Sequence, residues 1–146
     1  MSATPADRHD TAMAHDIRVL VVDDDQGVGV RLRELLTDFD HIVVGVASNS
    51  IQALVLVKAL RPDVVVTDLR MPGMSGLQLT AEVRRLPEPP EVIVVSAYDD
   101  ASLKAEAGQA GAHAYVVKGA PGQQIHEAVV AAAAARSARQ HVRTIQ

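Results

Sequence analysis

Cysteine is absent from this 146-residue sequence, and so is tryptophan. Without thiols there is no disulfide, no thiolate metal site and no cysteine nucleophile. Aromatic residues make up 2% of the chain against 48% hydrophobic residues overall, so a core must be built from Val, Leu, Ile and Ala. No apolar run reaches the roughly 18 residues that a membrane-spanning helix requires. Residues 1–16 are polar and lack the apolar centre of a secretory signal. An excess of positive charge is missing too. The formal net charge is −4, which argues against a nucleic-acid surface. The six histidines never fall at i, i+3 or i, i+4, so they offer no helical metal-ligand pair. Gly27-Val28-Gly29 sits where a dinucleotide loop would start, but Leu32 replaces the third glycine and three carboxylates would repel a pyrophosphate. These exclusions lead to the expectation of a cytoplasmic chain with no membrane contact and no direct nucleic-acid binding.

What the chain has instead is a series of short aliphatic runs separated by helical patterns. Ile17–Val22 predicts a first buried strand, His41–Ala47 a second, Val64–Val66 a third, Val92–Val95 a fourth and His113–Val117 a fifth. After the first strand, Val30, Leu32, Leu35, Leu36 and Phe39 can face a sheet. Ser48, Asn49 and Ser50 offer N-cap chemistry for a second helix, with Ala53, Leu54, Val57 and Leu60 as its core stripe. Ile51 and Val55 fall on another face, either under a neighbouring loop or as an exposed patch. Ser75 can cap a third helix with Leu77, Leu79, Val83 and Leu86, which Pro87, Pro89 and Pro90 stop. A fourth helix spans Ala101 to Ala110 and ends at Gly111, with Gly108 either a tolerated defect or a loosening element. A fifth carries Ile125, Ala128, Val129 and Ala132. Five strand–helix pairs with crossover-length helices predict an α/β fold, a doubly wound five-stranded parallel sheet flanked by five helices.

The strand ends carry the chemistry. Asp23, Asp24 and Asp25 follow the first strand, Asp68 the third, Ser96 the fourth and Lys118 the fifth. In parallel strands these ends share one edge, where α/β proteins place their sites. Clustered carboxylates repel one another unless a cation joins them. Mg²⁺, a hard ion with oxygen ligands, suits one or two carboxylates plus phosphate oxygens. A hydroxyl and an ammonium opposite suit a phosphoryl group. The residues therefore point to Mg²⁺-assisted phosphoryl transfer to an aspartate. Asp25 reads as a first-turn residue of a helix rather than a ligand.

The chain resembles the receiver domain of two-component response regulators over roughly residues 17–135. The resemblance rests on Val-Leu-Val-Val-Asp-Asp-Asp (19–25), Thr-Asp-Leu-Arg-Met-Pro-Gly-Met-Ser-Gly (67–76), Val-Ser-Ala (95–97) and Ala-Tyr-Val-Val-Lys (114–118). It implies the flavodoxin-like receiver fold and a phospho-acceptor signalling domain, not an enzyme acting on a separate substrate. It implies Asp68 as the residue that accepts a phosphoryl group from a sensor histidine kinase. By the same resemblance Asp23 and Asp24 hold Mg²⁺, with Asp24, Asp68 and the Arg70 backbone carbonyl as ligands. Ser96 and Lys118 would contact the phosphoryl oxygens, and Ser96 and Tyr115 would form the switch. The family commonly has proline directly after this lysine, whereas Lys118-Gly119-Ala120-Pro121 moves it two positions along. That form, with Arg70-Met71-Pro72-Gly73, resembles the subgroup usually joined to a helix-turn-helix output domain.

Further expectations are a flexible leader over 1–16, a receiver over 17–135 and a tail or truncated linker over 136–146. The readout or homodimer face would be the fourth helix, fifth strand and fifth helix, or the first and fifth helices. Two other functions compete. One is a degenerate receiver that binds partners without phosphorylation. The other is a phosphatase of the haloacid dehalogenase type with Asp23 as nucleophile, although only Glu127 follows Lys118 as an acidic residue.

Overall fold

β-branched side chains fit the pleated, covered surface of a sheet, and the Val/Ile-rich runs become its strands. The computed structural model describes residues 16–145. In it β1 spans Arg18–Val22, α1 Gln26–Asp38, β2 Ile42–Ala47, α2 Ser50–Leu60 and β3 Val64–Asp68. There follow α3 at Gly76–Arg84, β4 at Glu91–Ser96, α4 at Ala101–Ala110, β5 at Ala114–Val117 and α5 at Gly122–Ile145. The strands lie in the order β2-β1-β3-β4-β5, every pairing parallel, as the alternation predicts. The expected leader, apart from Asp16, lies outside the described residues.

Alternation along each strand divides the core in two. Leu20, Val22, Val65, Val92 and Val94 face Ala53 and Val57 of α2, Leu79 and Val83 of α3, and Ala107 of α4. Val19, Val21, Val64, Val66, Ile93 and Val95 face Leu32 and Leu36 of α1 and Ile125, Val129 and Ala132 of α5. Because the chain winds from β1 first to β2 on one side and then to β3 on the other, the strand order reverses beside β1. The crevice at that reversal is where an open α/β sheet binds ligands.

Local chemistry sets the helix ends. The side chains of Asp25, Asn49, Ser75 and Asp100 each accept a backbone N–H from the first turn of the following helix. Ser75 and Gln78 complete a capping box. Gly111 closes α4 with φ +106°, a left-handed conformation that glycine adopts without strain.

Several sequence expectations need correction. Val30 is exposed rather than turned to the sheet, because Leu32 and Leu36 already fill the narrow stripe α1 buries. Leu60 is only half-buried, and Leu86 lies beyond the end of α3 although it, like Leu54, packs against the core. Ile51 and Val55 are 64% and 61% exposed, so no loop covers them. The largest difference is at the C-terminal end. α5 runs without a break past Ala135, into the stretch expected as a tail or truncated linker.

The reason is a clamp at the amino edge of the sheet. Asp63 accepts Arg18 N–H at 2.9 Å and Arg136 Nη1 at 3.0 Å. Arg136 also donates to the carbonyls of Glu88 and Pro89, each at 3.3 Å. Glu91, buried at the start of β4, pairs with Arg139 and lies 3.7 Å from Arg84. The tail arginines are thus internal fasteners between α5 and the sheet.

Two predictions follow from this packing. A Cβ on Gly108 would meet nothing within 4 Å, so Gly108→Ala should stabilise the fold by about 0.5–1 kcal/mol, read as a raised urea midpoint. Asp63→Ala should cost about 3 kcal/mol, because it strands the Arg136 guanidinium against the sheet edge.

Candidate functional site

Strand register brings the chemically loaded ends together. Val22 lies opposite Thr67, so Asp23 leaves β1 at the level of Asp68 in β3. Asp68 lies opposite Val95, and Ser96 opposite Val117, which puts Ser96 and Lys118 one step further along the same edge. The carboxylate oxygens of Asp23, Asp24 and Asp68 come within 4.8 Å of one another. Lys118 reaches in from β5, its Nζ 3.1 Å from Asp68 Oδ1 and 3.5 Å from Asp23 Oδ2.

Each carboxylate is held differently. Asp68 Oδ1 accepts the Leu69 N–H at 2.8 Å as well as the lysine, and neither contact falls on Oδ2. Asp23 is 1% exposed, and its Oδ1 accepts the Asp25 N–H at 2.9 Å. Its Oδ2 is the one buried side-chain oxygen among the described residues that makes no hydrogen bond. Asp24 is exposed. Asp25 caps α1 through Val28 N–H, in keeping with its reading as a first-turn residue.

Burial pushes Asp23 above the usual carboxylate value, and the charge of Asp68 adds to this. The Asp25 amide and Lys118 act against both. For Lys118, burial works to lower the pKa, but the hydrogen bond and charge of Asp68, with those of Asp23, outweigh it. The ammonium is held above its ordinary range. Three crowded carboxylates, one with a buried and unsatisfied oxygen, fit a hard divalent cation of the Mg²⁺ kind.

The turn after β3 is held from two sides. A Cβ on Gly76 would come 2.0 Å from the Asp68 carbonyl oxygen, so only glycine allows α3 to start this close to the strand end. Gly76 N–H donates to the Leu69 carbonyl at 2.8 Å. Across the loop, buried Ser50 donates its hydroxyl to the Met74 carbonyl at 2.8 Å. Of the three residues that offer cap chemistry, Asn49 is the cap, and Ser50 pins the loop that follows Asp68.

Tyr98, just before α4, carries no role by sequence pattern. The structure makes it a hub. Its N–H donates to Ser96 Oγ at 3.1 Å, its carbonyl accepts the Tyr115 hydroxyl at 2.5 Å, and its ring lies 4.7 Å from the Arg70 guanidinium carbon. The Ser96-x-Tyr98 spacing of a serine turn was the available signal. The proline shift after Lys118 has a simple backbone outcome. Every described peptide bond is trans, and Gly119 takes φ +90°.

Comparison with known proteins identifies this arrangement. The family model described as "Response regulator receiver domain" matches residues 19–130. The chain belongs to the response regulator receiver family. Among receiver relatives, the positive alginate biosynthesis regulatory protein of Pseudomonas aeruginosa is 38% identical over 115 residues, 77% of this chain and 46% of that protein. The chemotaxis protein CheY of Thermotoga maritima is 35% identical over 101 residues, 69% of this chain and 84% of its own. The solved receiver domain of the NarL response regulator from Mycobacterium tuberculosis superposes with a TM-score of 0.75 at 36% identity, covering 81% of this chain and 96% of that one. This receiver spans about half the length of several curated relatives it matches. As a receiver it is a signalling domain rather than a classical enzyme. No helix among its described residues is long and apolar enough to cross a membrane.

The raised pKa of Asp23 has a consequence for stability. The folded state holds a proton on Asp23 over a pH window in which the unfolded chain has lost it, so stability falls as pH rises through that window. Asp23→Asn should therefore stabilise the protein at neutral pH by about 1 kcal/mol. The gain should shrink as pH falls below the window, measured by urea unfolding at a series of pH values.

Proposed function

We propose that this receiver takes a phosphoryl group from a sensor histidine kinase onto Asp68 and controls a downstream output by changing its surface. The observation that carries the reading is the convergence of Asp23, Asp24, Asp68 and Lys118 at one sheet edge. An Asp68 oxygen attacks phosphorus as the P–N bond of the donor phosphohistidine breaks, and the departing imidazole takes up a proton. Asp23 and Asp24 would hold Mg²⁺ with Asp68 and the Arg70 backbone carbonyl. Its contribution when bound is to neutralise charge on the phosphoryl oxygens.

The chain's own groups do the remaining work. Lys118 exchanges its contact with Asp68 for a phosphoryl oxygen. Ser96 Oγ accepts from Tyr98 N–H, which leaves its hydroxyl proton to donate to another. The new group adds about −1.5 to −2 charges, enough to bias a two-state element. Drawing Ser96 toward it pulls on Tyr98, whose carbonyl is bonded to Tyr115, so the two are read as the switch pair. The face of α4, β5 and α5 or the face of α1 and α5 then serves as the readout or homodimer surface. The kinase partner places the reaction in the cytoplasm, and relatives such as the NarL regulator suggest transcription control as the output.

The test is intact-mass spectrometry after incubation with Mg²⁺ and a small-molecule phosphodonor. Wild type should gain one phosphoryl group, Asp68→Asn none, and Lys118→Ala at least about tenfold less. Removing Mg²⁺ with a chelator should abolish the adduct. A wild type that never gains the group would indicate a partner-binding receiver without phosphorylation. Turnover that survives Asp68→Asn but not Asp23→Asn would replace the switch with a phosphatase.

A further inference from the structure

The histidines are scattered along the sequence, but the fold joins two of them. Nε2 of His41, just before β2, lies 2.9 Å from Nδ1 of His126 in α5. Phe39 stacks on the His126 ring with centres 4.4 Å apart and planes within 11°. His41 is 6% exposed. The same junction is tight at the start of α5, where a Cβ on Gly122 would come 3.0 Å from Leu35 and 3.5 Å from Phe39.

A 2.9 Å contact between ring nitrogens needs one N–H and one lone pair. A neutral pair supplies both, and a singly charged pair still does. A doubly protonated pair sets N–H against N–H, and the contact must open. Two titratable groups act on His41: His126 from α5, and Asp40 from the turn between α1 and β2. Nearby, Asp38 at the end of α1 is exposed, Glu127 of α5 is bonded to Gln123, and β2 contains only aliphatic residues and glycine. Burial, with help from His126, outweighs Asp40 and holds His41 below the ordinary imidazole value.

We propose that His41 and His126 form an acid-sensitive clasp between the α1–β2 turn and α5, closed while the pair carries at most one extra proton and opened by the second. A histidine depressed in the folded state contributes stability above its ordinary value and loses it as pH falls. The clasp sits on the first turns of α5, shortly after Lys118 and Gly119. Its opening frees the α1–α5 face and loosens the segment behind the lysine.

The experiment is an NMR titration of the imidazole carbons of the full chain, with Tm followed from about pH 7 to about pH 5.5. Wild type, His126→Gln and His113→Gln are compared. In wild type, His41 should titrate below the ordinary imidazole value. In His126→Gln, where an amide can bond either form of His41, the His41 titration should move up and at least half of the fall in Tm should vanish. His113→Gln should leave both readouts unchanged. The proposal is overturned if His41 titrates at or above the ordinary imidazole value in wild type, or if His126→Gln keeps the wild-type pH profile.

Discussion

Three carboxylates at one sheet edge repel one another, and the Lys118 ammonium is the charge that holds two of them together. Its contacts to Asp68 and Asp23 bridge β1, β3 and β5 at the edge where those strands end. Coulomb attraction across such short distances in a partly buried setting is strong, and the raised lysine pKa records it. The compensation is incomplete. Asp23 keeps a buried oxygen without a hydrogen bond, so the edge retains a demand for further positive charge. An edge with that demand built in fits a hard divalent cation.

The rest of the molecule serves that edge by keeping the strands in register. Buried Val, Ile and Leu on both faces of the sheet fix which residue ends each strand, since a one-residue slip would turn a whole face toward solvent. Gly76 and Ser50 hold the turn after Asp68 from opposite sides. At the far edge Asp63 and Glu91 fasten α5 through Arg136 and Arg139. α5 is thereby held at its start by aromatic and histidine contacts and at its far end by ion pairs.

Tyr98 links the site to the surface that would report on it. Its backbone bonds Ser96 on one side and Tyr115 on the other, while its ring meets Arg70 from the loop after Asp68. A shift of the Ser96 hydroxyl toward a new acceptor would reach half-buried Tyr115 and exposed Arg70 through contacts already in place.

The amino-acid order alone determined the five strand–helix pairs, the parallel sheet and the position of Asp23, Asp24, Asp68, Ser96 and Lys118 at strand ends. Those features are local: period-two aliphatic runs, cap residues and glycine or proline stops act within a few residues, and parallel winding puts every strand end on one edge. What needed the tertiary structure depends on residues far apart in the chain. Arg136 and Arg139 fall in the stretch expected as a tail or truncated linker, and only the fold brings Asp63 and Glu91 beneath them. His41 and His126 had no helical spacing to betray them, because their contact joins elements 85 residues apart. Val30 matched the apolar stripe by spacing, yet the width of the groove left it outside. Pattern assigns a residue to a face, but only packing decides whether something is there to meet it.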